Sequence, residues 1–101
     1  MLVFLTIAPV GTGESLSEDV AAVLDLIDKS GLPYRTGPMG TTIEGDWDAV
    51  MALVKRCHFL MRERSARVST LIKIDDRVGR TGELDRKPAA LEARLGRRLV
   101  R

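Results

Sequence analysis

Hydrophobic positions along the chain alternate between a period of two residues and a period near 3.6, the spacings of strands and helices. Residues 2–8, Leu-Val-Phe-Leu-Thr-Ile-Ala, form an apolar, partly β-branched run too short for a helix. They predict a central strand covered on at least one face. Val3, Leu5 and Ile7 would point one way, and Leu2, Phe4 and Thr6 the other. Pro9 ends the run, and Gly11-Thr12-Gly13 reads as a flexible loop. Ser15-Leu16-Ser17-Glu18 then has the spacing of a capping box, with Asp19 adding first-turn negative charge. Val20, Val23, Leu24 and Ile27 fall at i, i+3, i+4 and i+7, so a helix is expected over about 16–30, closed by Gly31.

A short strand with Tyr34 and Thr36 fits between Pro33 and Pro38, at an edge because of its prolines. Met39-Gly40 turns the chain, and Thr41–Glu44 returns as its partner. Gly45 breaks that strand, and Asp46 suits the N-cap of a helix over about 47–64, with Val50, Leu53, Val54, Cys57, Leu60 and Met61 on one stripe. Residues 67–76 form the last strand: Val68, Thr70, Ile72 and Ile74 share one face, and Ser69, Leu71, Lys73 and Asp75 the other. Arg77–Lys87 is polar and reads as a mobile connection, after which Pro88 suits the first turn of a final helix. Leu91, Leu95 and Leu99 give that helix a narrow stripe, interrupted by Gly96, which needs a partner. The order β-α-β-β-α-β plus a tail helix is that of an α+β, ferredoxin-like sandwich. Its four-stranded antiparallel sheet would carry two helices on one face. The other face, with Phe4, Thr6, Thr42, Glu44, Leu71 and Lys73, is left open to bind something or to pair with another copy. Residues 1–77 make the domain, and residues 78–101 its basic linker and C-terminal helix.

Length and composition fit one soluble globular domain: 101 residues, 45% hydrophobic and 30% charged. The net charge of +2 hides an asymmetry. Residues 1–76 carry 8 Lys/Arg against 11 Asp/Glu, a net of −3; residues 77–101 carry 8 against 3, a net of +5. The excess of positive charge therefore belongs to the tail, and argues little for nucleic-acid binding by the body. A single cysteine, Cys57, allows no internal disulfide and no thiolate cluster for zinc. No apolar run approaches the roughly 18–20 residues of a membrane span. With no basic leader either, the expectation is a cytoplasmic protein.

Glu44 is an acidic side chain in a segment that otherwise reads as buried sheet, where carboxylates need a partner. With Thr42 and Lys73 on the same face, it suits recognition of a cationic or amine-bearing small molecule. A structural ion pair or hydrogen-bonded carboxylate accounts for it equally well. The Gly11–Ser17 loop lacks a P-loop ending and reads as a plain capping loop, with ligand contacts from Thr12 or Ser17 left open. His58 has no evident carboxylate or nucleophile partner, and Cys57 reads as a small buried hydrophobe. Trp47 is expected to pack over the start of the second helix, and the adjacent Asp75-Asp76 to point apart, with a strand-end Asp–Arg ion pair favoured over a metal. The sheet invites comparison with RNA-recognition domains, but the central strands offer only Phe4 for stacking.

Three separated motifs add a resemblance. Pro9-Val10-Gly11-Thr12-Gly13 with Ser15-Leu16-Ser17 resembles the first signature of the small thiamine-binding protein family, the MTH1187/YkoF-like proteins. Thr36-Gly37-Pro38-Met39-Gly40-Thr41-Thr42-Ile43-Glu44-Gly45 resembles the second, and Ile72-Lys73-Ile74-Asp75-Asp76-Arg77 the third. The resemblance implies a ferredoxin-like fold, subunits paired through their sheets into dimers or tetramers, and binding of thiamine or its pyrimidine moiety without catalysis. No further cofactor, no metal, no nucleic acid and no membrane are expected. The polar positions the resemblance marks are Thr12, Ser17, Thr36, Met39, Thr41, Thr42, Glu44 and Lys73.

Overall fold

A computed structural model describes residues 1–11 and 16–101. The elements follow in the order β1 (Leu2–Pro9), α1 (Ser17–Lys29), β2 (Tyr34–Thr36), β3 (Thr41–Glu44), α2 (Trp47–Arg64), β4 (Val68–Asp75) and α3 (Glu83–Leu95). The sheet order is β2-β3-β1-β4, antiparallel throughout, the ferredoxin-like arrangement. β1 pairs with β4 along its whole length, from Leu2 opposite Asp75 to Pro9 opposite Val68. On its other side Leu2, Val3, Phe4 and Leu5 face Glu44, Ile43, Thr42 and Thr41.

This register sorts the faces. Val3, Leu5 and Ile43 pack against Val23 and Ile27 of α1 and Val50, Leu53, Val54, Cys57 and Met61 of α2, all buried. Most of the apolar stripes read from the sequence is therefore core, with Leu24 and Leu60 partly buried at its margin and Val20 exposed. α2 begins with Asp46 accepting from the Ala49 amide at 2.8 Å. The proposed capping box of α1 depends on Ser15, which lies outside the described residues. Arg64, at the end of α2, reaches Asp19 in the first turn of α1 at 2.6 Å and ties the two helices together.

The tail departs from expectation. α3 starts at Glu83, so the connection is shorter than read and Pro88 lies inside the helix rather than in its first turn. Gly96, left-handed at φ 70°, ends α3 at Leu95 instead of interrupting it, and Leu99 falls outside the stripe. Beyond Gly96 the chain folds back, with the Leu99 amide donating to Glu92 at 2.7 Å and Arg101 pairing with Glu92 at 3.0 Å. Asp75 pairs with Lys87 of α3 rather than with a neighbouring arginine. The open sheet face is thus covered at the Met1 end by the start of α3.

Candidate functional site

At the other end of the sheet, β2 and β3 are joined through Gly37-Pro38-Met39-Gly40, and the Gly37 amide donates to the Gly40 carbonyl at 2.9 Å. A cavity of about 180 Å³ opens here between this hairpin, the C-terminal half of β1 and the inner side of α1. Its apolar wall is made by Leu5, Ile7, Val20, Val23, Leu24 and Ile27. Its polar wall is made by Thr6, Thr36 and Thr41, and exposed Met39 stands at the hairpin. Register places Thr36 opposite Thr41, and their hydroxyl oxygens lie 2.9 Å apart. One hydroxyl of such a pair donates to the other, leaving one proton to give and lone pairs to accept. An apolar slot with a donor and an acceptor side by side suits the edge of a planar nitrogen heterocycle. A cavity of about 150 Å³ already holds a benzene ring, so this one holds a single substituted six-membered ring.

Glu44 sits at the opposite end of the sheet. It is 8% exposed, and its two carboxylate oxygens accept from the backbone amides of Glu83 at 2.8 Å and Leu84 at 3.2 Å. Gly82, at the N-cap of α3, has no side chain to perform this task, so Glu44 caps the helix from β3. A carboxylate also complements the positive end of the helix dipole. The second anchor is Arg35 of β2. Pro88 has no N–H to give to the Leu84 carbonyl four residues earlier. Arg35 supplies the donor instead, at 3.1 Å, and pairs with Asp85 at 2.6 Å. Arg35 draws the Asp85 carboxyl below its ordinary range, and Lys87 does the same to Asp75.

The marked positions therefore divide into groups. Thr36, Met39 and Thr41 line the hairpin cavity. Thr42 and Lys73 lie on the open face, each opposite Phe4, with β1 between them. Two strand spacings of about 4.8 Å therefore separate their backbones. Glu44 shares that face but lies under α3, and Ser17 is the exposed first residue of α1. Thr12 lies outside the described residues.

Other reactive groups have structural partners. His58 Nδ1 is 2.6 Å from the Thr70 hydroxyl, a bond that joins α2 to β4. Burial pushes the Cys57 thiol up to about 11, which keeps it neutral and poorly nucleophilic. Trp47 is 55% exposed and lines a cleft of about 680 Å³ with Leu32, Pro33 and the 76–82 connection. Among the described residues no cluster of His, Cys, Asp and Glu could hold a metal, and no helix is long and apolar enough to cross a membrane.

Sequence reading missed Arg35 and the cavity-lining side of α1. Val20 and Leu24 belong to the same stripe as the core residues Val23 and Ile27, and periodicity does not tell a cavity wall from a filled core. The signal for Arg35 was Pro88, whose missing N–H leaves an acceptor for some donor to find.

The comparisons with known proteins agree with this architecture. The family model described as "Thiamine-binding protein" matches residues 3–92. The UPF0045 protein Mb1933 of Mycobacterium bovis is 41% identical over 96 residues, covering 94% of each chain. Among solved structures, the hypothetical protein MJ1052 of Methanocaldococcus jannaschii superposes with a TM-score of 0.82 at 31% identity, over 89% of this chain and 93% of that one. A Thermotoga maritima protein, assigned provisionally to thiamine biosynthesis or salvage, superposes with a TM-score of 0.78 at 25% identity, over 89% and 96%. The match spans the sheet, both packed helices and most of α3, and on that extent the chain belongs to the thiamine-binding protein family.

Proposed function

We propose that the chain binds thiamine, through its aminopyrimidine ring, in the hairpin cavity and without catalysing a reaction. The observation that carries this reading is the paired Thr36 and Thr41 hydroxyls in an apolar slot of one-ring size, in a chain of this family. The exocyclic amine of the ring would donate to one hydroxyl, and the adjacent ring nitrogen would accept from the other. Met39 would close over the flat face, where a thioether makes favourable aromatic contact. No charged side chain lines the cavity among the described residues, so the cationic thiazolium would lie at its mouth, on the side of Val20 in α1. Thr42 and Lys73 would then serve the open face, and Glu44 would act through α3 rather than by touching the ring. A bound ligand would stabilise the fold by mass action, about 2.7 kcal/mol at one hundred times Kd. Such a protein carries, buffers or senses its ligand, as a cytoplasmic homo-oligomer.

Calorimetric titration with thiamine and with hydroxymethylpyrimidine tests the reading. Saturable binding of both is expected, with Thr41→Val weakening each by about tenfold, the worth of one hydrogen bond to a buried group. No heat from either ligand with the folded protein would transfer the function to assembly. In that second reading the sheet face and α3 serve only to join subunits, and exposed Leu71, Leu91 and Leu95 favour it.

A further inference from the structure

We propose that the groove between the 77–80 turn and α3 binds the phosphate or diphosphate group of a small molecule. The groove encloses about 410 Å³, within the range of small-ligand sites. Arg77 and Arg80 line it from the turn, and Arg86, Lys87 and Arg94 from one face of α3. Glu83 is the one carboxylate among the residues that line the groove, and it is held by Arg80 at 3.5 Å. Lys87 is occupied by Asp75, but Arg77, Arg86 and Arg94 make no ion pair among the described residues. Like charges gathered in a concavity repel one another until an anion enters, and guanidinium forks match phosphate oxygens two at a time.

The dimensions favour a small phosphate ester over a nucleic-acid backbone. Helical rise puts Arg86 and Arg94 about 12 Å apart along α3, a gap that two long side chains can close on one or two phosphates. A longer polyanion would leave the groove and meet Asp75 at the end of β4 and Asp85 in the first turn of α3, then a body of net charge −3. Ala90 and Leu91, both exposed, add apolar surface to the lining between the cations. The assignment does not rest on the hairpin cavity.

The test is titration of the full chain with inorganic pyrophosphate, inorganic phosphate and a single-stranded oligonucleotide at low ionic strength. Pyrophosphate is expected to bind saturably, more tightly than phosphate, and to raise the melting temperature. Arg86→Ala, at an exposed position, should weaken it by about tenfold, as befits a hydrogen bond between charged groups. Arg98→Ala, in the same basic tail but outside the groove, should leave it unchanged, and so should Thr41→Val. Absence of saturable pyrophosphate binding would overturn the proposal. So would equal losses in Arg86→Ala and Arg98→Ala, which mean diffuse charge, or tighter binding of the oligonucleotide than of pyrophosphate.

Discussion

A Cβ built on Gly40 would stand 2.5 Å from Phe4 Cζ and 2.8 Å from both Phe4 Cε2 and Thr6 Cγ2. An aromatic ring and a β-branched methyl cannot step aside as the tip of a flexible side chain can. The missing atom is what lets the hairpin close against β1 and shape the mouth of the cavity. Gly40→Ala should therefore cost about 1–3 kcal/mol of stability, the usual toll of overpacking, less the gain from a stiffer unfolded chain. Chemical denaturation measures it, and Phe4→Leu in the same chain should restore part of the loss. A Gly40→Ala protein as stable as the parent would mean that the ring is free to move. The Met39-Gly40 turn was legible in the sequence, as was the placing of Phe4 on the open face. The pressure of one upon the other was not, because alternation fixes the face of a side chain and leaves its lean along the strand undecided.

At the scale of elements, α3 is held to the sheet by polar anchors at its first turns, and its own leucines contribute little: Leu91 and Leu95 are more than half exposed. Glu44→Gln keeps the shape but replaces one accepting oxygen with an amide that faces a backbone N–H. Loss of the cap and of the charge at the helix start should weaken α3 docking by about 1–2 kcal/mol. Hydrogen exchange should show faster opening of 83–87 with the β1–β4 amides unchanged; loss of protection throughout the sheet would instead make Glu44 part of the global fold. The same docking should respond to acid. Asp75 and Asp85 are held below their ordinary value of 3.8, chiefly by hydrogen bonds from Lys87 and Arg35. For a lowered carboxyl, the attraction is complete above the unfolded value and is lost as pH falls through the folded one. Protection of the α3 amides, taken relative to their intrinsic exchange rate at each pH, should thus be flat from neutrality to about pH 5 and fall below about 3.8, with Arg35→Ala removing part of that fall. The carboxylate in buried sheet was conspicuous in the sequence, but its partners lie 39 and 40 residues away, and backbone amides leave no trace in composition. By sequence alone Pro88 suits the first turn of a helix, because the donor that meets the Leu84 carbonyl is likewise distant along the chain. Only the Arg35 side chain, supplied by another strand, makes the interior position tolerable.

For the whole molecule, the radius of gyration is 15.0 Å and the extents are 46 × 29 × 21 Å. A compact chain of this length would have a radius near 13 Å. α3 is docked through its first turns, and Leu91 and Leu95 beyond them are more than half exposed. The strand and helix order was readable because each period change coincides with a glycine, proline or cap. The direction of α3 was not, because its stripe is too narrow to name the surface it lies on. An arm of this kind, basic where the body is acidic, offers each copy of the chain a surface complementary to another. Leu71, 62% exposed on the open sheet face, and Leu91, 56% exposed on the arm, are the apolar points such an association would cover. Replacing both with aspartate should leave the monomer folded, since substitutions at exposed sites away from a packed core usually fall within about 0.5 kcal/mol. Sedimentation of Leu71→Asp/Leu91→Asp should then show a smaller particle than the parent, with an unchanged circular dichroism spectrum. Single substitutions separate the two surfaces: sheet pairing fails with Leu71→Asp alone, and arm docking with Leu91→Asp alone. A double variant that sediments with the mass of an oligomeric parent would place the interface elsewhere, and α3 would then be an arm kept free for the anion its arginines attract.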